Sequence, residues 1–150
     1  MMFKTHVAFG FLAGILSLHY LNPLNQIMFI ALVLLGATLP DIDHPNSKLG
    51  SKFKFIGFLF EHRGFFHSFL VIPLISLAIY YFTHSYTYIM PLGIGYASHL
   101  VSDAVTKEGI MPLHPLTRLR VRGFVRTGGA LEYIFFFGVL VFAVYRTISL

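Results

Sequence analysis

Two long stretches of this chain carry no formal charge. No Asp, Glu, Lys or Arg occurs between Lys4 and Asp41, and none between Arg63 and Asp103. A bilayer-crossing helix needs about 20 mostly apolar residues, so each stretch has room for two. Turn-forming residues divide them. "NPLN" at 22–25 separates a helix of about His6–Leu21 from one of about Gln26–Leu39, which Pro40 ends. The second stretch divides near 83–86 into helices of about Phe65–Phe82 and Tyr86–Val105. A last apolar run, about Ala130–Tyr145, adds a fifth. The pattern predicts an all-α membrane protein of about five transmembrane helices, with residues 1–150 as one domain. Lys4 opens the first run as in a secretory signal. No small-residue cleavage pattern follows it in "SLHYLNPLN", so the run is expected to be retained.

Composition strengthens this picture. Hydrophobic residues make up 56% of the chain and charged ones 11%, where a soluble domain has roughly 25% charged. Cysteine is absent, which removes disulfides, thiolate metal sites and cysteine nucleophiles. Charge also sets an expected orientation. Ten of the eleven Lys and Arg residues precede the first helix or lie in the connections 40–64 and 106–129; only Arg146 falls elsewhere. The positive-inside rule puts that face in the cytoplasm, with the N-terminus inside and the C-terminus outside.

The same face collects the chemistry. All six acids and six of the eight histidines fall there, His19 and His84 being the exceptions. Ionisable groups at membrane depth are costly and mark function by default. In "HLVSD", His99 and Asp103 are one helical turn apart on one face. Such a pair can ligate a metal, let the Asp orient the imidazole, or simply cap a helix. In "LLGATLPDIDHP", the prolines exclude a continuous helix; extended backbone would point Asp41 and Asp43 the same way, able to bridge two cations, with His44 beside them. The bland alternative is a polar interfacial turn. "EHRGFFHS" offers His62 and His67, with Gly64 expected to bend the chain between them. Glu132 is either a further ligand or an acid favoured at a helix N-terminus. His6 alone would be an ordinary interfacial histidine. "RLRVRGFVR" puts Arg118, Arg120 and Arg122 on one face if extended, suited to a substrate phosphate or to resting on anionic lipid.

Four of these segments, "THVAFG", "PDIDHP", "HRGFFHS" and "HLVSDAVTKEGI", resemble in order the motifs of the YdjM family of prokaryotic inner-membrane, metal-dependent hydrolases. The resemblance covers about residues 3–116. It implies metal ligands at His6, Asp41, Asp43, His67, His99 and Asp103; His44, His62 and Glu132 are further candidates from the residue pattern alone. It also implies a distant similarity to zinc-dependent phospholipases C and related single-strand nucleases, which share an N-terminal histidine and a His-x-x-x-Asp pair.

A cysteine-free site of aspartates and histidines suits Zn²⁺, with Mn²⁺, Fe²⁺ or Mg²⁺ as alternatives. The expected activity is hydrolysis of a phosphoester in a phospholipid or lipid-linked phosphate, using two ions and metal-activated water at the cytoplasmic face. Asp41, Asp43 and Asp103 are the candidate catalytic carboxylates: Asp41 or Asp43 to bridge the metals, and a neighbouring acid to shuttle the proton. Nucleic acid is disfavoured as a partner, because the basic stretch is small and lacks a stacking platform. A zinc protease would need His-Glu-x-x-His, which is absent. The alternative of a different class is a membrane scaffold whose metal pins the helices together.

Overall fold

A computed structural model describes residues 1–44, 51 and 63–149 of the chain. Among the described residues five α-helices form: α1 (Phe3–Leu21), α2 (Gln26–Gly36), α3 (Val71–Thr83), α4 (Ile89–Ala104) and α5 (Ala130–Ile148). Local chemistry sets their ends. Asn22 turns left-handed after α1 (φ 39°), and its N–H donates to the Leu18 carbonyl at 3.0 Å. Asn25 then caps α2, its side-chain oxygen accepting from the Met28 N–H at 2.9 Å. Pro73 and Pro91 sit in the first turns of α3 and α4, where a missing N–H costs nothing. Among the described residues there is no β-strand. The connection from α4 to α5 pairs with itself at two isolated points, Thr106 with Val125 and Ile110 with Val121.

Two expectations need correction. Five spans were expected, whereas among the described residues two segments are long and apolar enough to cross a bilayer: Gln26–Asp43 and Ala130–Ile148. Helices α3 and α4 fall short in length for a physical reason. Residues Phe65–His67 form a 3₁₀ turn rather than helix, which leaves α3 with 13 residues. Helix α4 has 16, and His99, Ser102 and Asp103 occupy its last turns. The second correction concerns "PDID". Leu39–Asp43 is a 3₁₀ helix, not extended chain. With three residues per turn, positions two apart diverge, so Asp41 and Asp43 do not share a face.

Helix α4 lies at the centre, packed on α1, α2 and α3, while α5 packs on α1. The tightest crossing joins α2 to α4. A Cβ on Gly95 would overlap the Val33 carbonyl, and one on Gly36 would overlap the Leu92 carbonyl. Only glycine lets the two backbones touch. Below that crossing Ile15, Leu18, Phe29 and Val33 form one apolar cluster; above it Val71, Tyr96, Leu100 and Ile110 form another. The Tyr96 hydroxyl donates to the Phe66 carbonyl at 2.5 Å, which ties the 3₁₀ turn to α4. The outer faces of α3 and α5 are apolar and exposed, including Leu77, Tyr81, Phe82, Ile134, Phe137, Val141 and Tyr145. Water-soluble monomers rarely leave such a surface uncovered.

Gly95→Ala should push α2 from α4. Overpacking of this kind costs about 1–3 kcal/mol, so a clear fall in thermal midpoint is expected in detergent, against no change for Gly138→Ala, where a Cβ meets open space. Equal midpoints would mean the crossing is looser than described.

Candidate metal centre

The helix ends bring the predicted residues to one end of the bundle. His6 comes from the first turns of α1, Asp41 and Asp43 from the 3₁₀ helix after α2, and His67 from the 3₁₀ turn before α3. His99 and Asp103 come from the last turns of α4. His6, His67, His99, Asp43 and Asp103 are buried, and the Asp41 side chain is 17% exposed. Two groups have donor atoms within 4.8 Å of one another: His6 with His99 and Asp103, and Asp41 with His67 and His99.

Hydrogen bonds fix how each imidazole presents itself. His99 Nδ1 lies 2.7 Å from the Ala37 carbonyl, which can only accept, so Nδ1 carries the proton. His67 Nδ1 lies 3.1 Å from Asp43 Oδ2, with the same consequence. His6 Nδ1 meets Ser102 Oγ at 2.8 Å, and that hydroxyl already donates to the His99 carbonyl at 2.8 Å. Ser102 must therefore accept from His6. All three Nε2 atoms face inward. His67 Nε2 and His99 Nε2 face each other at 3.4 Å. Two ring nitrogens at that distance need a proton or a metal cation between or beside them.

Asp103 is the shared carboxylate. Its Oδ1 lies 3.4 Å from His6 Nε2 and also meets the amino group of Met1. Its Oδ2 lies 3.5 Å from His67 Nε2 and 3.8 Å from His99 Nε2. Asp41 Oδ1 is 3.8 Å from His99 Nε2. The His6 and His99 rings stack, with centroids 3.7 Å apart and planes 10° from parallel. Lone pairs in near-parallel planes do not meet at one point, so these two histidines address different positions. The donor set fits divalent metal: unprotonated imidazole nitrogens and carboxylates inside, with each imidazole's other nitrogen hydrogen-bonded outside.

Other predicted residues stand apart. Asp43 accepts from His67 and from the Arg63 backbone N–H at 3.2 Å, so it orients a histidine. Both Glu132 oxygens serve backbone N–H groups, Met2 at 2.5 Å and Gly128 at 2.7 Å, which joins the chain start to the N-terminus of α5. His44 follows the 3₁₀ helix and lies in neither group. His62 lies outside the described residues. His19 and His84 are exposed at the other end of the bundle. Arg118 and Arg122 are exposed, and Arg120 Nη1 donates to the Glu108 carbonyl at 3.3 Å.

Sequence reasoning missed Arg63, which it counted only as a topology charge. Arg63, not Gly64, takes the left-handed turn (φ 61°). Its buried guanidinium lies 3.5 Å from Asp103 Oδ2 and 2.9 Å from Glu108 Oε2, and donates to Thr106 Oγ1 and the Gly109 carbonyl. Its place inside "HRGFFHS", between two histidines, was the available signal. Removing one partner of a buried ion pair costs about 3–5 kcal/mol. Arg63→Ala should therefore lower the thermal midpoint strongly and Arg63→Lys less, since lysine keeps the charge but loses the fork. Indistinguishable midpoints for all three proteins would remove this role.

The model of the YdjM inner membrane protein family matches residues 1–149. The uncharacterised protein YvsG of Bacillus subtilis is 34% identical, over 95% of this chain and 91% of its own length. The inner membrane protein YdjM of Escherichia coli is 34% identical over 78% of this chain, and the alignment spans 65% of that protein's length. No solved structure matches. With nearly its whole length accounted for, the chain belongs to the YdjM inner membrane protein family.

Proposed function

We propose that this chain is an inner-membrane, metal-dependent hydrolase acting on the phosphoester of a phospholipid or lipid-linked phosphate. One observation carries the reading: three inward-facing imidazole Nε2 atoms and the Asp103 and Asp41 carboxylates converge in one buried volume. His6, His67, His99, Asp41 and Asp103 would hold two divalent ions, Zn²⁺ by donor type, because the stacked rings address two positions. When bound, such ions supply Lewis acidity, lowering the pKa of water and polarising a phosphoryl oxygen. The chain's own groups do the rest. Asp43, Ser102 and the Ala37 carbonyl hold the imidazole tautomers. Asp41, the most exposed of the three central carboxylates, takes the proton from water and passes it to solvent. In this reading the chain is held in the membrane by its long apolar segments, and the site faces the cytoplasm.

A second reading has an observation of its own. His6, His67, His99 and Asp103 are at most 1% exposed, and a closed, buried metal site is what a scaffold would use. The two separate cleanly. Purified, metal-loaded protein is assayed against a phospholipid panel and simple phosphodiesters, with metal content measured in parallel. His99→Ala and Asp103→Asn should lose both metal and turnover, whereas His19→Ala and His84→Ala should keep both. A metal-loaded wild type that cleaves nothing, with ligand variants that only melt earlier, would establish the scaffold instead.

Orientation has its own check, helped by the absence of native cysteine. Single cysteines at Ser85 and Ser149 should react with an impermeant reagent in intact cells, and one at Ser47 should not. Labelling at Ser47 would reverse the proposed orientation.

A further inference from the structure

We infer that the α4–α5 connection, residues 116–126, is a docking surface for anionic phospholipid headgroups, distinct from the metal centre. Its backbone is held in shape. Ile110 and Val121 exchange two hydrogen bonds at 3.0 and 2.9 Å, the Gly123 N–H donates to the Thr106 carbonyl, and the Val125 N–H donates to the Val105 carbonyl. Buried Val125 and Ile110 pin it from beneath. What faces outward is then a fixed pattern. Leu116, Leu119 and Phe124 are 63–77% exposed, and Arg118, Arg122 and Arg126 are exposed between them. A purely solvated loop would not need three large apolar side chains there, and a buried one could not hold the arginines.

Charge and depth choose the occupant. No acidic residue occurs between Glu108 and Glu132, while four arginines do. The nearer of those acids, Glu108, is already paired with Arg63. The Phe124 ring lies 6.5 Å from that of Phe135, in the second turn of α5. The exposed apolar face of α5 starts at Leu131 and continues through Ile134 and Phe137. Phe124 therefore sits level with the start of a lipid-facing surface, and the guanidiniums lie where headgroup phosphates would be. Guanidinium pairs with phosphate by two parallel hydrogen bonds, and apolar side chains at the acyl boundary add the second attraction that stable interfacial binding needs.

The chain contains no tryptophan, so Phe124→Trp creates a single fluorescent reporter. The full-length protein is placed in nanodiscs in which acyl-brominated lipid, a quencher, is either phosphatidylglycerol or phosphatidylcholine at equal mole fraction. Clustered arginines concentrate anionic lipid locally, so quenching by the brominated anionic lipid should be about twofold stronger or more, and the difference should shrink in high salt. Adding Arg118→Gln, Arg122→Gln and Arg126→Gln should abolish the preference. A Phe137→Trp reporter on α5 should be quenched by either lipid with or without those changes, which guards against misfolding. Equal quenching by both lipids at position 124, a preference that survives the arginine changes, or no quenching there at all would each overturn the inference. The readout involves no turnover, so it stands or falls apart from the hydrolase proposal.

Discussion

Backbone contact between α2 and α4 is the constraint from which the candidate metal centre follows. His99 is useful only if its Nδ1 proton is occupied, and the group that occupies it is the Ala37 carbonyl, one residue beyond the end of α2. That carbonyl comes within 2.7 Å because Gly36 and Gly95 remove the side chains that would hold the helices apart. A carbonyl is a fixed acceptor with no proton of its own, so the tautomer of His99 is set by packing rather than by pH. The same crossing places the 3₁₀ helix, with Asp41 and Asp43, over the last turns of α4. Two glycines in the apolar part of the bundle thus control the chemistry at its end.

The centre concentrates unfavourable groups. Three imidazole lone pairs and two carboxylates converge in a buried volume, where unpaired polar groups are expensive. Arg63 offsets part of this by reaching Asp103 with its side chain and Asp43 with its backbone N–H. It does so from a left-handed conformation that a non-glycine residue adopts at some cost. Strain of this kind persists where surrounding contacts over-determine it, and four side-chain partners do so here. The arrangement leaves Glu108 as the exposed end of an inward chain, Glu108 to Arg63 to Asp103.

Much of this was legible in the sequence, and the failures have definite causes. Charge-free stretches broken by "NPLN" and the 83–86 turn located the helices, because charge is excluded from apolar surroundings so strongly. The turn from helix to helix also put His6, Asp41, His67, His99 and Asp103 at one end, which the structure brings together. The faces of Asp41 and Asp43 were not legible, since two residues after a proline suit an extended strand and a 3₁₀ turn equally well. Arg63 was hidden for another reason: a guanidinium looks the same in a sequence whether it rests on lipid or is buried against a carboxylate. Glu132 was open between ligand and helix-terminal acid, and only three-dimensional proximity reveals that Met2 supplies its second partner.

Helix length bears on what such a centre can reach. At 1.5 Å per residue, the 13 residues of α3 span about 20 Å and the 16 of α4 about 24 Å, against a hydrocarbon core of about 30 Å. Were either to enter the bilayer, it could not span that core without thinning it locally or drawing its flanking segments into the boundary. The flanking segments at one end are the 3₁₀ turn bearing His67 and the connection bearing Arg118 to Arg126. The shortfall would therefore bring headgroup phosphates down toward the metal ligands, instead of leaving the ligands above the bilayer in water. By contrast α5, which packs on α1, reaches about 28 Å. Unequal helix lengths within one bundle therefore set how deep the cluster of His6, His67, His99, Asp41 and Asp103 can lie.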